Sequence, residues 1–249
     1  EHMKYATKDE WNNWYRRILR KDLRCGISVK TVNNVAKKSA LDFQIAVFGC
    51  MLANDAKKFP KKLVGKCLIE YKFDGVRVIT LVHNGKATMY SGNGKVLDNF
   101  PHIIEAINKM KLEDVMLDSE VMNRDFQSLM KQVTSKDDVK KEDAHLVIFD
   151  ALPLEEWEEG KGKLDTLHRK RYLDKLFSYS YLNLLHINKI SCIEIVAFEF
   201  VDLDTEDGQA KFAEMHEEAL KKGYKGLTIK PIKGLYENKR SSAWLSMIF

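Results

Sequence analysis

From about Lys66 the distribution of apolar and polar positions turns strand-like. "KCLIEY" (66–71), "GVRVITLVH" (75–83) and "HNGKATMYS" (83–91) read as three strands, the last two joined at Asn84-Gly85, a strong hairpin signal. A helix is predicted over Asn99 to Met110, followed by a strand at "DVMLDSEVM", a short helix at "DFQSLMKQV" and a buried strand at "AHLVIFDAL". "TLHRKRYLDKLFS" reads as a helix, "CIEIVAFEFV" as one strand and "DGQAKFAEMHEEALKKG" as a helix. "GLTIKP" and "AWLSMIF" close the chain as strands, and "EEWEEGKGK" (155–163) is the best candidate for an exposed loop. Hairpins mixed with separate helices predict an α+β fold rather than a regular βαβ series.

The first 40 residues have a different pattern. "TKDEWNNWYRRILRKDLRCG" reads as a helix with both ends marked, by a capping box of Thr7 and Glu10 and a stop at Gly26. Trp11, Trp14, Tyr15, Ile18, Leu19 and Leu23 follow helical spacing and give one apolar stripe. A second short helix is predicted from Ser28 to Lys38. The pair has too little apolar area to stand as a domain, so it reads as the end of one. The opening Glu-His-Met resembles a cloning remnant, with natural sequence expected to resume near Lys4. The expected organisation is a remnant at 1–3, a helical segment at 4–45 and one main domain at 46–249.

Composition narrows this little. The chain has 249 residues, 45% hydrophobic and 31% charged, enough to bury a sizeable core. No apolar run approaches the ~20 residues of a membrane span, and no signal-peptide pattern is present. The four cysteines (Cys25, Cys50, Cys67, Cys192) lack metal-type spacing and read as reduced thiols of a cytosolic protein. Net charge is only +5, but Arg16, Arg17, Arg20, Lys21 and Arg24 crowd one short segment. Such a run is either a solvated helix face or a phosphate-contacting surface.

"IEYKFDGVR" (69–77) places a lysine in an otherwise apolar run, with Asp74, Gly75 and Arg77 close behind. On its own this is equally a surface lysine in a turn. It is followed, however, by "YSGNGK", "LDSEV", "VIFDAL", "KGLTIK" and "WLSMI". In order and spacing this series resembles the motifs of the covalent nucleotidyltransferases, specifically the ATP-dependent DNA ligases. "RKDLRCGISVKTVNNVAKK" followed by "MLA" is similar to the bacteriophage-type members, in which a helical DNA-binding region runs into the adenylation domain.

The resemblance implies an ATP-grasp-like ligase adenylation fold: two packed, mainly antiparallel sheets flanked by helices, with the nucleotide between them. It implies ATP and Mg²⁺ as cofactors, nicked double-stranded DNA as partner, a monomer, and a cytoplasmic location, phage-encoded in a host or bacterial. In such enzymes an amine attacks the α-phosphate of ATP, giving a lysyl-AMP that passes to the 5′-phosphate at a nick, a covalent route that divides one hard step into easier ones. Lys72 matches the nucleophile. By the same resemblance Glu70 contacts the adenine edge, Arg77 reaches ribose or phosphate, and Glu120 takes a ribose hydroxyl and is a weak metal candidate. Phe149 stacks on the base, and Tyr71 and Lys230 join the nucleotide site; Arg16, Arg17, Arg20 and Arg24 are the DNA-binding candidates. Taken singly, Phe149 is also a core residue, Glu120 an edge-strand carboxylate and Glu70 a solvent-facing one.

The chain departs from the family pattern where charge matters. Gly92 stands for an arginine, Lys225 for a metal-associated glutamate, and Ser246 and Ile248 for two lysines; Ser119 for glycine is milder. Losing one electrostatic stabiliser of a transition state costs about 3–4 kcal/mol, and phosphoryl-type transfer depends on positioning and such charges. The expected outcome is a catalytically impaired adenylation domain. The chain stops at the last adenylation motif, where ligases continue into an OB-fold domain. RNA ligases and mRNA capping guanylyltransferases share the scheme, and a non-catalytic nucleotide- or DNA-binding scaffold is the alternative of another class.

Overall fold

The computed structural model describes residues 5–19, 26, 29–41, 48–123, 129–130, 133, 144–184 and 192–249. The chain divides into two compact units, Glu1–Phe48 and Gly49–Phe249. In the first, α1 (Lys8–Glu10) opens on the expected capping box: Thr7 Oγ1 accepts from Glu10 N at 3.2 Å, and Thr7 N donates to Glu10 Oε2 at 2.9 Å. The helix then widens into a π-helical turn, Trp11–Tyr15, before α2 (Arg16–Leu19). That turn breaks the expected stripe, and Trp14 is 67% exposed. Gly26 has the left-handed φ of 68° suited to a helix stop, and α3 (Val29–Lys38) follows.

The second unit contains β1 (Leu52–Asp55), β2 (Lys66–Lys72), β3 (Val76–His83), β4 (Lys86–Ser91), α4 (Pro101–Lys109), β5 (Val115–Met122) and β6 (His145–Pro153). After these come α5 (Leu154–Glu158), β7 (Lys161–Asp165), α6 (Thr166–Leu184), β8 (Ile193–Ile195), β9 (Phe198–Asp202) and α7 (Glu206–Lys221). The last elements are β10 (Gly226–Pro231), β11 (Leu235–Glu237) and β12 (Arg240–Ile248). Two five-stranded sheets have the orders β1-β12-β10-β2-β9 and β4-β3-β5-β6-β8, and β7 and β11 form a small ribbon. Pairing is antiparallel except for β1 with β12 and β6 with β8. This is the α+β, mainly antiparallel architecture that the pattern predicts.

Three local expectations fail. "CIEIVAFEFV" is two strands, β8 in one sheet and β9 in the other, with the chain changing sheets at Val196-Ala197. The segment 155–163 is not an open loop: Trp157 on α5 is buried and donates its Nε1–H to the Gly49 carbonyl at 2.9 Å. β1 and β11 are strands the pattern did not reveal. The short helix expected at 125–133 lies mostly outside the described residues, of which 129, 130 and 133 are helical.

Each sheet buries one face under helices. Cys67, Ile69, Leu227, Ile229 and Leu245 pack with Met215 and Ala219 of α7. Val78, Leu117, Leu146 and Ile148 pack with Ile103 and Ile107 of α4 and Leu173 and Phe177 of α6. Strand side chains alternate between faces, so burial of Cys67, Ile69 and Leu245 turns Glu70, Lys72, Trp244, Ser246 and Ile248 the other way, toward a cleft lined from both sheets.

Candidate functional site

The cleft has a volume of about 560 Å³ and is lined by Glu70, Lys72, Arg77, Glu120, Phe149 and Lys230 together with Ser246 and Ile248. Tyr71 borders it too, but its ring stacks on Tyr224 at 4.8 Å and its hydroxyl donates to Glu218, on the face covered by α7. The odd position in the strand aims that side chain away from Lys72.

The floor is a closed network of charge. The buried Glu70 carboxylate pairs with Lys170 on α6 and, through Oε2 at 2.8 Å, with Lys230 Nζ. Lys230 Nζ also donates to the Phe149 carbonyl at 3.1 Å and lies 4.4 Å from the Trp244 ring centroid. Burial pushes the Lys230 ammonium down to about 8, against the pull of Glu70. Asp150, fully buried, takes two bonds from Arg169, at 2.8 and 3.2 Å. Burial alone would raise the Asp150 carboxyl, but the charges of Arg169 and Lys230 outweigh it and hold it below the usual range.

A bulge makes this arrangement possible. The β5–β6 register shifts between Asp118 and Ser119, which pair with Asp150 and Ile148, so Phe149 has no ladder partner. Its carbonyl is therefore free for Lys170, at 2.7 Å, and for Lys230. Its ring meets Trp244 edge-on at 5.9 Å. Arg77 lies between the two aromatics, 5.7 Å from Phe149 and 5.6 Å from Trp244, and is fixed by a bidentate pair to Asp118 at 2.9 and 2.6 Å. Phe149 is thus at the cleft rather than in the core.

Lys72 ends β2 beside Glu120, whose Oε1 accepts the Gly75 N–H at 2.8 Å. Burial raises the Glu120 carboxyl, and Lys72 is the main charge opposing that rise. Gly75 is required by close approach: a Cβ there would lie 2.4 Å from the Val121 carbonyl oxygen.

The substituted positions fall into two groups. Ser246 and Ile248 line the cleft, and the Ser246 hydroxyl is buried without a hydrogen-bond partner among the described residues. Gly92 and Lys225 stand outside the lining. Gly92 is in the turn after β4, where a Cβ would meet only Cys50 Sγ at 3.9 Å, so a side chain has room there. Lys225 pairs with Asp74 at 2.7 Å and donates its backbone N–H to the Lys72 carbonyl at 2.9 Å. Ser119 is accommodated in the core by donating to the Val78 carbonyl at 2.8 Å.

Among the described residues no cluster of three His, Cys, Asp or Glu is positioned for a metal. With Asp74 held by Lys225, and Glu120 by Gly75 and the Lys72 charge, the donor set does not fit a protein-held Mg²⁺. Arg16 and Arg17 lie on α2, Arg16 exposed; Arg20 and Arg24 are outside the described residues. No motif marks Lys170 or Arg169, which reach the floor from a helix distant in the chain. Trp244 lies inside the "WLSMI" motif and was legible as a cleft residue only through strand parity.

Residues 50–247 match the family profile "ATP dependent DNA ligase domain". The chain belongs to that family. A DNA ligase of Methanococcus maripaludis is 30% identical over 43% of this chain and 21% of its own length. The solved structure titled "Pmar-Lig_PreS3" is 43% identical, covers 99% of this chain and 57% of that one, and superposes with a TM-score of 0.81. The ATP-dependent DNA ligase from bacteriophage T7, in complex with ATP, shares the fold, with 19% identity, a TM-score of 0.63 and coverage of 81% and 68% of the two chains. The ligase domain described here therefore spans little more than half of the solved relative and about a fifth of the curated one. Among its described residues no helix is long and apolar enough to cross a membrane.

Proposed function

We propose that this ligase domain binds an adenosine nucleotide in the cleft between its sheets and presents Lys72 to the α-phosphate. The convergence of Glu70, Lys72, Arg77, Glu120, Phe149 and Lys230 on one cleft carries this reading. Phe149, freed by its bulge, offers a ring to the base, and the floor network fixes Glu70 for the base edge. Glu120 takes a ribose hydroxyl, and Arg77 faces the ribose and α-phosphate. In the transfer, the Nζ lone pair forms a bond to Pα while the bond from Pα to the bridging oxygen breaks, so pyrophosphate leaves with that electron pair and Nζ sheds a proton to solvent.

In the parent ligase the AMP then passes to a nick in double-stranded DNA, with Arg16, Arg17, Arg20 and Arg24 on the DNA side; the domain acts as a cytoplasmic monomer. Mg²⁺ belongs to that reaction, but this donor set supplies no grip for it, and no step here is assigned to it. Transfer by this chain is slow, because positions 92, 225, 246 and 248 lack the charges that phosphoryl transfer uses.

Calorimetric titration with adenosine and guanosine tests the binding reading. Adenosine should bind and guanosine should not, and Phe149→Ala should weaken adenosine by about tenfold or more, the size of a base–aromatic stack. Preferential binding of guanosine would favour a guanylyltransferase-like site instead, and equal binding of both would remove the adenine-specific reading.

A further inference from the structure

The cationic groups around the cleft include one that no motif points to. Lys57 follows β1 in a short 3₁₀ turn, Ala56–Lys58, capped by Asp55, whose Oδ1 accepts the Lys57 backbone N–H at 3.0 Å. The turn brings Lys57 Nζ to the carbonyl oxygen of Ile248, at 3.2 Å, and Lys57 lines the cleft. Across the sheet, Ile248 pairs with Gly226, and Gly226 pairs with Lys72. With strands ~4.8 Å apart, the Cα atoms of Lys72 and Ile248 lie about 10 Å from each other.

The residue between them can be only glycine. A Cβ at Gly226 would lie 1.9 Å from the Met247 carbonyl oxygen. The row therefore has a lysine at one end, an ammonium contributed by Lys57 at the other, and no side chain between. Among the described residues neither Lys57 nor Lys72 has an ion-pair partner, and Arg240, which also lines the cleft, bonds the Ala53 carbonyl rather than a carboxylate. Ser246, two positions from the Ile248 row on the same face, adds a hydroxyl without a hydrogen-bond partner among the described residues. Asp55 is the acidic group at this end, and its Oδ1 is engaged in the cap.

We propose that Lys57, set against Lys72 across the gap at Gly226, is the cation that grips the outer phosphates of a nucleoside triphosphate in this cleft. This deepens, and rests on, the nucleotide-binding reading above. It gives the outer phosphates a cation although positions 246 and 248 carry none.

The test uses the full chain at low ionic strength and without divalent metal, titrated with adenosine, ATP and inorganic tripolyphosphate. The wild type should bind ATP about tenfold more tightly than adenosine, as expected for one charge-assisted contact to phosphate. Lys57→Gln should lose that advantage and the tripolyphosphate affinity together, leave adenosine unchanged, and be rescued by Lys57→Arg. Lys57 is exposed on a surface turn, so the variants should fold. Unchanged ATP and tripolyphosphate binding in Lys57→Gln, or no tripolyphosphate binding by the wild type, would overturn the proposal. If tripolyphosphate binding depends on Lys57 while adenosine binds to neither protein, the Lys57 site stands and the nucleotide reading fails.

Discussion

At the floor of the cleft every acid faces a cation: Glu70 meets Lys170 and Lys230, and Asp150 meets Arg169. At its mouth Lys57, Lys72 and Arg240 have no ion-pair partner among the described residues, and Ile248 is 46% exposed. The two ends tolerate change differently for a physical reason. A buried pair cannot lose one member without stranding the other in a medium that solvates it poorly. An exposed position exchanges its partner for water at little cost. The mouth can therefore lose the charge at the exposed position 248 while the floor and the fold remain intact.

The largest effect should come from breaking the floor. Arg169→Met leaves the fully buried Asp150 with only the Lys230 ammonium, at 3.9 Å, among its ion-pair partners in the described residues and should cost about 3–5 kcal/mol of stability. Ile248→Lys at the mouth should stay within about 0.5 kcal/mol of the parent. Urea denaturation of both variants checks the contrast, and equal costs would remove it.

A smaller cost should mark the mouth's backbone. Gly75→Ala places a Cβ 2.4 Å from the Val121 carbonyl oxygen and 2.8 Å from Glu120 Cγ. Such overpacking should destabilise by about 1–3 kcal/mol. A neutral Gly75→Ala in thermal melts would mean that the mouth is as permissive in its backbone as in its side chains.

The buried Lys230 should also give the floor a pH dependence. Its folded value, near 8, lies below the ordinary lysine value of 10.5. Between these two pH values the unfolded chain holds a proton that the folded chain has shed, so the stability contribution of Lys230 rises with pH across that window. Relative to Lys230→Met, the parent should gain about 1–2 kcal/mol between pH 7.5 and 9.5. Denaturation midpoints of both proteins at the two pH values measure it, and a constant difference would show that Lys230 keeps its proton.

Much of this was legible in the sequence wherever a local rule decides. The Asn84-Gly85 hairpin, the Thr7–Glu10 capping box and the shared face of Glu70 and Lys72 each follow from turn chemistry or strand parity. The motif series led to the right family. The strand-like run 192–201 hid its change of sheet, because no glycine or proline interrupts it. Trp157 was hidden among acidic neighbours that suggested a loop. The bulge at Phe149 leaves no compositional mark, yet it brings Phe149 to the cleft and frees its carbonyl for two lysines. Arg169 and Lys170 were illegible because they reach the floor through tertiary packing from a helix that carries no motif.

The proposed function requires that this cleft keep what holds a nucleotide and lack what transfers it. Intact-mass measurement after incubation with ATP and Mg²⁺ addresses it directly. The unmodified chain should stay almost wholly at its own mass. A variant carrying Gly92→Arg, Lys225→Glu, Ser246→Lys and Ile248→Lys should gain one AMP, and adding Lys72→Ala should abolish the gain. Near-complete conversion of the unmodified chain to the AMP adduct would contradict the claim.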